Sequence, residues 1–108
     1  MKNRGNTTEL VNARKGKILE DLGMELRNLT KAETKRLAIQ GAYVKSIYRN
    51  STIEDTNMEL GFIITHINEK EVINMDDVIK NLQLSRGLVI LGGIYEGYDG
   101  EYFYEFRK

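Results

Sequence analysis

Leu60-Gly61-Phe62-Ile63-Ile64-Thr65-His66-Ile67-Asn68-Glu69-Lys70-Glu71-Val72, continued by Ile73-Asn74-Met75-Asp76-Asp77-Val78-Ile79-Lys80-Asn81-Leu82, decides how the rest of the chain is read. A glycine opens a run rich in β-branched residues, a polar turn follows from Asn68 to Glu71, and Asn74 then stands where a helix cap belongs. Asp77, three residues on, suits the first turn of that helix. Met75, Val78, Ile79 and Leu82 recur three and four residues apart, so one face of the helix is apolar. The stretch is therefore a strand, a turn and a packed helix.

Working outward toward the N-terminus, Ser51-Thr52-Ile53-Glu54 fits a capping box for a brief helix, which Asn57 can end in the left-handed geometry. Ala42 to Tyr48 alternates as a strand. Its inner face changes at Ile47, which a bulge would resolve. Thr30-Lys31-Ala32-Glu33 is a second capping box, opening a helix that uses Leu37 as an apolar anchor and ends near Gly41. In Ile18 to Leu29, Leu22, Met24 and Leu26 alternate with Gly23, Glu25 and Arg27, which predicts a half-buried strand entered through a glycine. Met1 to Lys17 has neither helical nor strand periodicity and reads as a tail or linker, basic at Arg14-Lys15-Gly16-Lys17.

Toward the C-terminus, Leu88-Val89-Ile90-Leu91 is continuously apolar, as in a strand buried on both faces. Glu96-Gly97-Tyr98-Asp99-Gly100 then turns the chain into Tyr102-Phe103-Tyr104-Glu105-Phe106 as a hairpin. The count is five or six short strands and two or three short helices, an order suited to a mainly β, partly open barrel or sandwich capped by helices.

Composition narrows the function. The 108 residues suit a single domain. Sixteen basic and sixteen acidic residues cancel, so no net field draws nucleic acid or an anionic membrane. With no cysteine there is no disulfide framework and no thiolate metal site. The first residues lead into no apolar leader, and no apolar run is long enough to span a bilayer. Proline is absent, which leaves turn geometry to Gly, Asn and Asp.

Taken in order, Leu22-Gly23-Met24-Glu25-Leu26, the Thr30 helix, Gly41-Ala42-Tyr43-Val44, Asn50-Ser51 with its helix, the strand from Gly61 to Asn68 and the Asn74 helix resemble a bacterial PDZ domain of HtrA/Deg connectivity. Phe62 stands where that pattern has aspartate. Gly87 to Tyr95 followed by the aromatic strand is similar to the ending of the C-terminal, second PDZ domain of Do-like periplasmic serine endoproteases of the Bacteroidetes type. On that resemblance, residues 1–17 are a linker that closes a preceding PDZ domain, and 18–108 are the domain itself.

The resemblance implies a non-catalytic module of a serine endopeptidase that binds the hydrophobic C-terminal tails of unfolded or substrate proteins by strand addition, regulates the protease, or both. The tail's carboxylate would rest on the amides of Leu22, Gly23 and Met24. Leu22, Met24 and Leu82 would line the pocket for the last side chain, with Leu26, Met75 and Ile79 flanking the third from last. Met75 in place of a histidine favours a hydrophobic side chain there. The resemblance also implies a periplasmic location, neighbouring protease and PDZ domains, and sister subunits as partners. A second expectation is an oligomer-assembly domain with a closed groove, in which the same apolar residues are core. A third is a PDZ module of another envelope protease, of the site-two or tail-specific type.

Catalysis has no support in the residues. His66 is the sole histidine, at an outward strand position, with no serine-nucleophile motif beside it. Asp76 and Asp77 with Asp55 are explained as helix-terminal acids, so no metal and no cofactor is assigned. Tyr95, Tyr98, Tyr102 and Tyr104 read as cross-strand packing, with a contact surface for sister subunits as the other possibility.

Overall fold

A computed structural model describes residues 17–108. The expected linker at 1–17 therefore lies outside the described residues except for Lys17, which belongs to a helix. That helix, α1, covers residues 17–22. It is followed by β1 (Met24–Asn28), α2 (Lys31–Leu37), β2 (Ala42–Ile47), α3 (Thr52–Asp55), β3 (Phe62–Ile67), β4 (Lys70–Glu71), α4 (Met75–Leu84), β5 (Leu88–Tyr95) and β6 (Tyr102–Arg107). The strands form one antiparallel sheet in the order β1-β2-β3-β5-β6, with β4 paired to β3. The expected mainly β architecture with short helices is the one observed.

The local signals act as their chemistry demands. Thr30 Oγ1 accepts from the Glu33 amide at 3.1 Å, and Glu33 Oε1 accepts from the Thr30 amide at 2.9 Å, closing the box that starts α2. At α3, Ser51 Oγ accepts from the Glu54 amide at 3.0 Å, but Glu54 reaches back to the amide of Asn50 at 2.7 Å rather than to that of Ser51. Asn74 Oδ1 accepts from the Asp77 amide at 2.9 Å and starts α4. Val78, Ile79 and Leu82 then go into the core, at about 1.5–3 kcal/mol per side chain removed from water.

Asn68 and Glu69 have φ of 50° and 73°. Two successive positive values give the primed two-residue turn that matches strand twist, so Lys70 and Glu71 pair back onto β3. Between β1 and β2 the register slips, with Glu25 opposite Ser46 and Leu26 opposite Val44. A bulge of this kind resolves the change of inner face at Ile47, which now stands opposite the buried Met24.

Two expectations are corrected. Ile18 to Leu22 is helix, not the beginning of a strand, and β1 starts only at Met24. Leu19 and Leu22, three apart, both face the core, and Gly23 ends the helix. Its amide donates to Leu19 O at 2.8 Å and its φ is +98°, which is the left-handed helix stop that glycine favours. The run Leu88 to Leu91 is not buried on both faces. Val89 and Leu91 point inward, while Leu88 is exposed and Ile90 half-buried on the far side.

Candidate functional site

β1 is a terminal strand of the sheet, paired on one side only among the described residues. Its unpaired margin is therefore a row of backbone donors and acceptors. α4 packs against β1, β2 and β3. Asn28 Oδ1, at the end of β1, accepts from the Met75 amide at the start of α4 at 2.7 Å, tying the two elements together. The strand and helix that the sequence pairs are thus neighbours. β6 is the other terminal strand.

Gly23 turns the chain from α1 into β1. Its carbonyl accepts from the Tyr48 amide at 2.8 Å and so faces β2. The alternation of an antiparallel strand then directs the backbone groups of Met24 toward the open margin. The Gly23 amide is already bonded to Leu19 O, and Leu22 lies in the last turn of α1. Of the three amides expected to receive a carboxylate, at least that of Gly23 is engaged within the chain.

The groove side chains are brought together, and they are packed. Met24 and Leu82 have no exposed surface, Ile79 has 2%, Leu26 5% and Leu22 6%, and all five belong to one core cluster. Met75 is half-buried against that cluster. The depression beside β1 lies between α1, β1 and the C-terminal part of β2, and no α4 residue lines it. It holds about 250 Å³ and is lined by Leu19, Glu20 and Lys45 as well as Met24, Glu25 and Leu26. Tyr48, which also lines it, donates to Glu25 Oε2 at 3.1 Å. Desolvation, and then that carboxylate, push the Tyr48 hydroxyl above its ordinary pKa. Lys45 is the positive group in a setting otherwise acidic at Glu20 and Glu25.

The outer face of β1 is held by Arg27. Its guanidinium lies 4.0 Å from the Tyr43 ring centroid and bonds both oxygens of Glu33, at 2.8 and 2.9 Å. The Arg27 hydrogen bond, and then the Thr30 amide, hold the Glu33 carboxyl at a pKa of about 2.

The α1 contribution was missed from sequence because a glycine that stops a helix reads the same as one that opens a strand. Its signal was the spacing of Leu19 and Leu22 just before Gly23.

The remaining candidates fall elsewhere. His66 sits on β3 with Nδ1 2.9 Å from Thr65 Oγ1. Asp77 Oδ2 accepts from the Ile73 amide at 3.1 Å, a helix-start role. Among the described residues no group of three or more His, Asp or Glu is disposed to hold a metal ion, and no helix is long and apolar enough to cross a membrane. Tyr95 and Tyr104 share a hydrogen bond of 2.7 Å, and the Tyr104 ring meets Phe62 edge-on at 5.0 Å, so these tyrosines are cross-strand packing. Tyr98 and Leu60 remain exposed beside them.

No family model and no curated protein sequence matches the chain. The fold does match a solved structure, the PDZ domain of HtrA3 bound to a phage-derived ligand, FGRWV. The TM-score is 0.67 at 15% identity, over 80% of this chain and 81% of that one. The architecture is PDZ-like.

Proposed function

We propose that this PDZ-like domain is a non-catalytic module that takes extended, hydrophobic chain ends by strand addition at the β1 margin. The observation that carries the reading is the position of β1, terminal in the sheet and tied to α4 through Asn28 and Met75. An added strand would find backbone partners on one side and an amphipathic helix on the other. The solved HtrA3 domain, with its FGRWV ligand, supports the same use of the fold. The sequence resemblance extends the proposal to a Do-like periplasmic serine endoprotease, of the Bacteroidetes second-PDZ type, as the parent protein.

Leu22, Gly23 and Met24 remain the proposed carboxylate loop, and Leu26, Met75, Ile79 and Leu82 the proposed groove. Because the Gly23 amide is engaged with Leu19 O, receiving a carboxylate there requires the last turn of α1 to release it.

A second reading rests on that engagement and on the full burial of Met24 and Leu82. In it the groove stays closed, and the domain serves assembly of the parent oligomer through contacts with neighbouring domains or sister subunits.

Calorimetric titration with hydrophobic-ended peptides separates the two. The capture reading predicts binding of the free-acid peptide and loss of binding when its terminus is amidated. Equal binding of both forms removes the carboxylate loop from the account. No binding of either, together with loss of the parent oligomer when this domain is deleted, establishes the assembly reading. A serine-protease domain encoded upstream supports the Do-like parent, whereas a site-two or tail-specific protease domain there redirects the assignment.

A further inference from the structure

On the sheet face turned away from the core, His66 pairs with Gly92 and Gly92 with Phe103, forming one row across three strands. The middle residue has no side chain, so the row is dented. A Cβ at Gly92 would stand 3.0 Å from Phe103 Cε1 and 3.7 Å from His66 Cβ, which places the Phe103 ring against the glycine. Covering a bare glycine backbone is one use of such a ring. It does not consume the ring, because Phe103 is still 62% exposed.

The dent broadens into a pocket of about 530 Å³ with Ile90 in its wall and Glu69, Glu101 and Glu105 at its rim. The rim is fixed by the fold. Asn68 bonds Ile90 twice, through its amide at 2.9 Å and its Oδ1 at 2.8 Å, which anchors the turn carrying Glu69. Glu105 lies opposite Ile90 in the β5–β6 ladder, and Glu101 immediately precedes β6. Among the described residues none of these three carboxylates makes an ion pair, and neither does Arg107, farther along the same face of β6.

We propose that this pocket docks an arginine side chain presented by an extended basic segment of a partner protein. An exposed ring, an apolar wall and several carboxylates suit a guanidinium, whose flat face stacks on an aromatic while its N–H edge bonds a carboxylate. The same combination is assembled within the molecule at the other end of the sheet, where Arg27 lies over Tyr43 and is forked by Glu33. In the outer pocket this chain supplies the ring and the acids, and the partner supplies the cation. Lysine, a point charge without a flat face, fits less well. The pocket shares no residue with the β1 margin, so the two sites stand or fall separately.

The test is a titration of the isotope-labelled full chain with the blocked peptide Ac-GGRGG-NH2, followed by amide chemical shifts. Its ends offer no carboxylate to the Gly23 loop. Saturable shifts are expected at His66, Gly92 and Phe103. The citrulline analogue should bind at least about fivefold more weakly and the lysine analogue detectably more weakly. E101Q/E105Q, at exposed positions, should weaken arginine binding at least about threefold while leaving the spectrum of the free protein folded, and F103L should do likewise. Four results each overturn the proposal: no saturable shift, equal binding of citrulline, indifference to E101Q/E105Q, or shifts centred on Glu20 and Glu25.

Discussion

Replacing Gly23 with alanine adds one methyl group at the joint between α1 and β1, and its cost can be worked from two sources. The backbone there has φ of +98°, a conformation that costs a side-chain-bearing residue about 1–2 kcal/mol. The new Cβ would also stand 2.0 Å from Ser51 Cβ and 2.4 Å from Ser51 Oγ, so Ser51 must move. Ser51 Oγ accepts from the Glu54 amide and donates to Tyr48 O at 2.7 Å, and losing such a cap costs about 1 kcal/mol. Gly23→Ala should therefore destabilise the domain by about 2–3 kcal/mol, a large share of the ~5–15 kcal/mol that a domain typically possesses.

Ser51→Gly removes the obstruction and by itself should cost only a few tenths of a kcal/mol, about what a glycine at an N-cap costs. The double variant then keeps the backbone strain alone, so the two changes should couple by about 1 kcal/mol or more. Urea unfolding of the four proteins at matched m-values measures this directly. Additivity within about 0.5 kcal/mol would refute the steric argument. It also follows that a Gly23 substitution reports on folding as well as on binding, so the amidated peptide is the cleaner probe of the carboxylate loop.

Three further outcomes are expected. Because the Glu33 carboxyl is held at about 2 in the folded state, below its ordinary value of 4.5, its pairing stabilises the fold fully above pH about 4.5 and is lost as the pH falls toward 2. In Glu33→Gln the acid limb of stability against pH should be flatter across that window, and an unchanged limb would contradict the pairing. Asn28→Ala removes the acceptor of the Met75 amide and should cost about 0.5–1.5 kcal/mol, with faster hydrogen exchange at Met75 as its specific signature. Leu82→Ala, at a position with no exposed surface, should cost about 2–5 kcal/mol by denaturant unfolding, and a cost under 1 kcal/mol would mean that α4 is not packed as described.

What was legible in the chain was local. The caps at Thr30, Ser51 and Asn74 were readable because a side chain and an amide three residues apart satisfy each other without help from the rest of the fold. The amphipathic face of α4 was readable for the same reason. The Leu22, Met24 and Leu26 alternation misled because it crosses a helix–strand joint, and the two apolar residues ahead of it, Ile18 and Leu19, fit either period. Leu88 and Ile90 misled because an apolar run does not say whether its second face is covered. The terminal place of β1 depends on long-range pairing and was available only through the family resemblance. The row of His66, Gly92 and Phe103 depends on registers among three strands, which no single stretch encodes.

The claim on which the function rests is that β1, rather than β6, is the margin to which an extended chain adds. Amide exchange and intermolecular nuclear Overhauser contacts, recorded with a saturating free-acid peptide of hydrophobic ending, test it directly. Strand addition at β1 predicts new protection at the outward-facing amides of β1, beginning with Met24, and contacts from the peptide's last side chains to Ile79 and Leu82. A bound peptide that leaves β1 unprotected, or whose contacts run along Tyr102 to Arg107 instead, would contradict it.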